Sequence, residues 1–144
     1  MEKSVFDKIT KEVLVDYGFK KDRYSYLLLL EDVTIVLNLR SWNSIRSFEY
    51  YLSINKLYDS STPLKKRADV IVETKMEHST DKKGYHRHEI VYEEYSETEY
   101  RELLSFLIHK YFDPFKNNAI QFLKEDYEHR LILRENAKKF LDSI

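Results

Sequence analysis

The chain has 144 residues, no cysteine and nearly balanced charge, with 24 basic and 25 acidic side chains and a formal net charge of −1. This length fits one domain, residues 1–144, with a core of its own. The missing cysteine excludes disulfides, thiol nucleophiles and zinc–thiolate sites, and the charge balance argues against a general nucleic-acid binder. With no bilayer-length apolar run and no visible signal peptide, we expect a cytoplasmic protein without a membrane partner.

The first predicted element is an amphipathic helix from Val5 to Tyr17. Its apolar face consists of Val5, Phe6, Ile9, Val13 and Tyr17. Ser4 is placed to cap the helix, and Gly18 is expected to end it in a left-handed conformation. Phe19 would then make the hydrophobic contact that accompanies a glycine C-terminal motif.

A hairpin is predicted next, with two alternating strands that meet at the turn Glu31-Asp32. This register pairs Leu28 with Ile35 and, further from the turn, Tyr24 with Leu39, and it places every large side chain on one face. Trp42 follows in a polar loop, residues 41–44. There it either folds back to cap the core or stays exposed as an interface anchor.

Three further strands complete the predicted sheet. The inner face of the third consists of Phe48, Tyr50, Leu52 and Ile54. After a loop at 58–66, a fourth strand is expected near 67–76, with Ala68, Val70 and Val72 alternating. A turn at 79–84 contains Gly84, and a fifth strand covers 85–95 with one charged face.

The C-terminal part is predicted to be helical. Ser96-Glu-Thr-Glu99 is a capping box that opens a helix, and Asp113-Pro114 is expected to end it and cap the next. The last pattern, 115–141, is too long for a compact domain, so it breaks near His129 or overhangs and packs on a second copy. We therefore expect an α+β fold, with an N-terminal helix, a five-stranded mainly antiparallel sheet and two C-terminal helices packed on one face.

The opening half of the chain resembles an uncharacterised bacterial family, the domain-of-unknown-function 4304 family. The similar features are the N-terminal helix, Gly18-Phe19-Lys20-Lys21, the hairpin 24–39 and the third strand, with Leu64-Lys-Lys-Arg67 at a basic position that the family has after that strand. The resemblance implies the fold already predicted and brings no catalytic residues. Small bacterial domains of this general type include immunity proteins against secreted toxins.

Two charged groups are candidate binding surfaces. An acidic stretch would steer a basic partner, with Tyr92 and Tyr95 as aromatic anchors beside it; the alternative is a solvated outer face. Its candidate residues are Glu89, Glu93, Glu94 and Glu97. A basic corner would form if Arg23 lies opposite Arg40, near Lys20 and Lys21, and would suit an acidic or phosphate ligand.

The histidines give only weak metal candidates. If the turn at 79–84 makes a hairpin, His78 sits opposite His86, with His88 on the same face. The alternative is a solvated sheet end, and we expect no metal and no cofactor. Because glycine occurs only at positions 18 and 84, the sequence also excludes glycine-rich phosphate-binding loops and dinucleotide-binding fingerprints.

These observations favour a non-enzymatic protein-interaction module, an immunity-type or regulatory binder of a bacterial protein, and the acidic stretch favours a basic partner. The main alternative is a small-molecule pocket protein or enzyme with its cleft between the sheet and the helices. A nucleic-acid accessory protein that uses the basic corner is a weaker alternative.

Overall fold

The computed structural model describes residues 1–63, 67, 70–72, 76–80 and 86–144, and for 70–72, 80, 86 and 126–133 it describes the backbone alone. The helices are α1 (Lys3–Tyr17), α2 (Glu97–Lys116), α3 (Ala119–Arg130) and α4 (Glu135–Asp142). The strands are β1 (Lys20–Asp22), β2 (Ser25–Leu29), β3 (Val33–Trp42), β4 (Ile45–Ile54), β5 (Val70–Val72), β6 (Ser79–Thr80), β7 (His86–Arg87), β8 (Ile90–Val91) and β9 (Leu131–Leu133).

Helix α1 ends at Gly18 as predicted. Gly18 has φ 126°, and the Phe19 amide donates to the Leu14 carbonyl at 3.0 Å, which is the long-range bond of a Schellman motif. Phe19 is buried against Phe112, with ring centroids 5.2 Å apart. The predicted cap at Ser4 is wrong, because the helix already begins at Lys3 and takes Ser4 into its first turn.

The sheet is antiparallel throughout its described pairings, with the order β1-β2-β3-β4-β5-β9. Strand β8 also pairs with β4, while β6 and β7 form a separate two-stranded sheet. The predicted hairpin register is confirmed, since Leu28 lies opposite Ile35 and both are buried. The pairing of Tyr24 with Leu39 is wrong, because Arg23 adopts φ 53° and β2 begins only at Ser25.

The later strands are shorter than predicted. Within the predicted 67–76 strand, the described ladder is β5, and Ala68 lies outside the described residues. The predicted strand 85–95 is replaced by β7, β8 and a 3-10 turn at Tyr92–Glu94. The turn follows because the Tyr92 ring is buried against Phe6, at 5.5 Å between centroids, and this ends the extended run. Gly84 also lies outside the described residues.

The C-terminal helices differ from the prediction at Pro114. Helix α2 continues through it to Lys116, because Phe112 and Phe115 on either side are both buried in the core. The chain breaks instead at Asn118, which has φ 58°, a conformation that asparagine tolerates. The predicted break near His129 is confirmed, since α3 ends at Arg130 and a third C-terminal helix follows β9.

The core lies between α1, α2 and the inner face of the sheet. Phe48, Tyr50, Leu52 and Ile54 are all buried, as predicted. Tyr50 stacks edge-on against Phe112 at 5.2 Å, and Phe6 of α1 contacts Tyr100 of α2 at 4.7 Å between ring centroids. The α+β class predicted from the sequence is confirmed.

Candidate functional site

The end of the β3–β4 hairpin presents an exposed aromatic side chain. Trp42 pairs with Ile45 across the two-residue loop Asn43-Ser44, and Asn43 closes this turn with φ 54°. Trp42 is 76% exposed. Strand β3 therefore runs further than the polar loop predicted at 41–44. The core-capping interpretation of Trp42 is wrong, and the exposed alternative describes its position.

A shallow pocket of about 340 Å³ lies beside Trp42. It is lined by Arg40, Ser41, Trp42, Ile45, Ser47 and Glu89. Three residues singled out from the sequence for separate reasons, Arg40, Trp42 and Glu89, thus share one site. We call Arg40, Trp42 and Glu89, with the adjacent Glu93 and Glu94, the hairpin-tip surface.

Arg40 is held by a carboxylate instead of a second arginine. Its Nε donates to Oε1 of Glu49 at 2.7 Å, and this hydrogen bond raises the pKa of Arg40. Arg23 lies in the turn between β1 and β2, and the pairing of β2 with β3 begins at Ser25 and Asn38, so the basic corner predicted from Arg23 opposite Arg40 is wrong. Arg40 is therefore part of an ion pair, and Glu89 adds a further carboxylate to the lining of the pocket.

The acidic residues lie next to the tip of the β3–β4 hairpin. Strand β8 pairs with Ile45, and the Tyr92 amide lies 3.4 Å from the Ser44 carbonyl, so the turn at Tyr92–Glu94 starts beside the loop that follows Trp42. Glu93 and Glu94 in that turn are exposed, as are Glu89 before it and Glu97 at the start of α2. The predicted acidic stretch is therefore a surface feature adjoining the exposed tryptophan.

Tyr92 and Tyr95, the tyrosines predicted to lie beside the acidic stretch, both pack against the core. Tyr92 is buried, with the Arg46 guanidinium 5.1 Å from its ring centroid. Tyr95 is half-buried against the core, and burial raises its pKa. Trp42, in contrast, is an exposed aromatic side chain beside the acidic residues.

Arg46, which was not among the residues predicted for the site, fixes the shape of the tip. Its side chain is 3% exposed and donates to the carbonyls of Asn43 at 2.6 Å and Ile45 at 3.0 Å. A signal was present: the inner-face alternation through Phe48 and Tyr50 also places Arg46 on the inner face. A buried cation bonded to the turn carbonyls stabilises the loop that presents Trp42.

The histidines do not form the predicted arrangement. The register pairs His86 with Thr80 rather than with His78. Both ring nitrogens of His78 have partners, the Glu89 carbonyl at 2.7 Å and the Ser79 hydroxyl at 3.1 Å. Within the described part of the chain, no three His, Asp or Glu residues form a group that could hold a metal ion.

A second concave surface lies between α1 and α2, with a volume of about 480 Å³. Asp113 beside it accepts from the Tyr17 hydroxyl at 2.6 Å and lies 2.9 Å from Nδ1 of His109. These bonds lower the pKa of Asp113, with the Tyr17 hydroxyl as the largest cause. Lys116 donates to the Tyr17 carbonyl at 3.2 Å. Asp113, which is held by the Tyr17 hydroxyl, fixes the orientation of the His109 ring in this groove.

Comparisons with protein-family models, curated proteins and solved structures give no match for this chain. The resemblance of the first half to the domain-of-unknown-function 4304 family stays a prediction. Among the described residues, no helix combines the length and apolar character that a membrane crossing requires.

Proposed function

We propose that this chain is a cytoplasmic, non-enzymatic interaction module of the immunity or regulatory type, which binds a basic protein partner through the hairpin-tip surface. The observation that carries the proposal is Trp42, 76% exposed at the mouth of a pocket that also contains Glu89. Tryptophan is among the residues most enriched at the energetic centres of protein interfaces.

The surrounding charge supports a basic partner. Glu89, Glu93 and Glu94 are exposed, whereas Arg40 is paired with Glu49 and the Arg46 guanidinium is buried. Exposed carboxylates around an apolar anchor accelerate association with a cationic protein, and this effect weakens as salt rises. The arrangement therefore favours an aromatic contact at the centre and electrostatic steering at the rim.

The test begins with isolation of the partner from the native host under mild salt, using the full chain as bait. Trp42→Ala should weaken binding of the isolated partner by about 30-fold or more, because truncation of an aromatic anchor costs about 2 kcal/mol. Phe106→Ala is the matched control, since Phe106 is also exposed, at 55%, but lies on α2 away from the hairpin tip.

Charge reversal tests the exposed carboxylates around Trp42 separately from Trp42 itself. Glu93→Lys with Glu94→Lys should slow association at low salt while leaving dissociation nearly unchanged. Glu31→Lys is the control, because this exposed carboxylate lies at the opposite end of β3, beside Val33. Equal effects of the tip and control variants would contradict the proposal.

A small-molecule function is the second candidate, and the α1–α2 groove favours it. There Asp113 and Tyr17 hold His109 in one orientation, as a site for a polar ligand requires. Recovery of no protein partner, together with a metabolite bound to the purified chain, would support this candidate instead.

A further inference from the structure

The pocket beside Trp42 lies on the face of the sheet away from the helices. Four of its lining side chains come from two neighbouring strands, since Arg40 pairs with Ser47 and Trp42 pairs with Ile45. The alternate residues of these strands, such as Phe48, are turned to the opposite face and buried in the core. The floor of the pocket is therefore the paired sheet itself.

Glu89 lines the pocket from the other side of β4. Strand β8 pairs with Ile45 and Arg46 in the order that carries the chain from β8 back to Glu89 beside Ser47. Nε2 of His78 lies 2.7 Å from the Glu89 carbonyl, and this bond holds the backbone there. The Glu89 side chain is exposed, and no cation among the described residues pairs with its carboxylate.

The hydroxyl of Ser47 has no hydrogen-bond partner among the described residues, although Ser47 is only 4% exposed. In the same part of the chain, every side-chain nitrogen or oxygen that is sealed from solvent does have a partner. The Ser47 hydroxyl is therefore open to the pocket that it lines. Because polar groups with so little access to water are normally hydrogen-bonded, this position is suited to a polar group of a ligand.

The charges of the pocket favour a cation as that ligand. Arg40 is already compensated by Glu49, to which it donates at 2.7 Å. Glu89 adds a second carboxylate, and the described lining contains no second guanidinium. An anion would therefore meet two carboxylates for one guanidinium, whereas a cation would balance the charge.

We propose that this pocket receives one basic side chain of the protein partner, a lysine or an arginine, whose N–H groups donate to the Glu89 carboxylate and the Ser47 hydroxyl. The proposal rests on the proposed function and specifies how the partner's positive charge is recognised. Long basic side chains bury their methylene groups along apolar surface, and Trp42 and Ile45 supply that surface here. A cation beside an indole ring is also attracted by the ring itself.

The first experiment uses small probes on the full chain. Trp42 is the only tryptophan, so a ¹⁵N spectrum contains a single indole N–H signal, which reports on the pocket. N-acetyl-lysine methylamide and N-acetyl-arginine methylamide are titrated separately. At least one should shift the signal saturably, with a dissociation constant of about 1 mM, as for a ligand of this size. N-acetyl-norleucine methylamide keeps the aliphatic stem without the charge and should give no saturable shift.

Variants then test the two groups assigned to the cation. Glu89→Gln should weaken binding of the basic probe about tenfold, and Ser47→Ala about threefold, because a bond to a charged group is worth more than a neutral one. Glu31→Gln is the matched control, since this exposed carboxylate lies at the opposite end of β3. Equal effects of Glu89→Gln and Glu31→Gln would overturn the proposal. So would saturable binding of the norleucine probe, stronger binding of N-acetyl-glutamate methylamide, or no shift with either basic probe at about tenfold above 1 mM.

The isolated partner separates this proposal from the proposed function. Glu89→Gln should speed dissociation of the partner, because the ion pair is buried in the complex. If Trp42→Ala weakens the partner and Glu89→Gln acts no more than Glu31→Gln, the pocket proposal fails and the proposed function stands. If neither Trp42→Ala nor Glu89→Gln affects the partner and the basic probe still binds, the proposed function fails and the pocket keeps its specificity for a basic group.

Discussion

Replacing Gly18 by alanine tests the junction between α1 and the sheet. Gly18 has φ 126° and ψ 0°, outside the regions that residues with a Cβ atom normally occupy. An added Cβ would lie 3.4 Å from Cδ1 of Leu28, which is ordinary van der Waals contact. The cost of Gly18→Ala should therefore come from the backbone conformation and not from a clash with the sheet.

The magnitude follows from two opposing effects. Holding a non-glycine residue in a sparsely populated backbone region costs about 1–3 kcal/mol. Alanine also restricts the unfolded chain, which offsets about 0.4–1 kcal/mol of that cost. We expect a net loss of about 1–2 kcal/mol in the free energy of unfolding, or roughly 3–6 °C in melting temperature for a domain of this size.

The assay is urea unfolding followed by circular dichroism, with Leu28→Ala and the double variant alongside. Leu28→Ala should cost about 2–5 kcal/mol, since Leu28 is 3% exposed and loses its core contacts. The added Cβ would only touch Leu28 at an ordinary contact distance, so the backbone cost at position 18 and the packing cost at position 28 should add within about 0.5 kcal/mol, as for independent sites. A Gly18→Ala variant as stable as the wild type, or one rescued by Leu28→Ala, would refute the backbone explanation.

Two further predictions concern α2. Ser96→Ala should lower the free energy of unfolding by about 1 kcal/mol, because the Ser96 hydroxyl accepts from the Glu99 amide at 3.1 Å; Ser143→Ala is the control in the same urea assay. Asp113→Asn should destabilise the fold at neutral pH. Because folding lowers the pKa of Asp113 below 3.8, its contribution is present above that pH and is lost as pH falls through the folded value. Melting temperatures of variant and wild type should converge in acid, and a constant difference would contradict this assignment.

The sequence alone determined the elements whose signals are local. The glycine at 18 fixed the end of α1, because a left-handed residue there is strongly favoured only when a Cβ is absent. The alternation around Glu31-Asp32 fixed the pairing of Leu28 with Ile35, since a one-residue slip would expose the whole apolar set. Ser96 and Glu99 likewise formed the predicted capping box, which needs only neighbouring residues.

Tertiary packing decided the features that local signals misjudged. Pro114 stays inside α2 because the buried rings of Phe112 and Phe115 hold both adjoining turns against the core. The predicted fifth strand ends early because Tyr92 is drawn into the core against Phe6. The hydrophobic periodicity of the sequence reveals neither interaction, because each depends on residues far apart in the chain.

The candidate site shows the same division. The sequence singled out Arg40, Trp42 and Glu89 separately, but only the pairing of β8 with β4 brings Glu89 to the hairpin tip. Strand β2 pairs with β3 only as far as Asn38, and the left-handed turn at Arg23 decides that point. Amino-acid type specified which groups can bind, and long-range strand pairing decided which of them share a surface, because cross-strand neighbours are set by the register of the whole sheet.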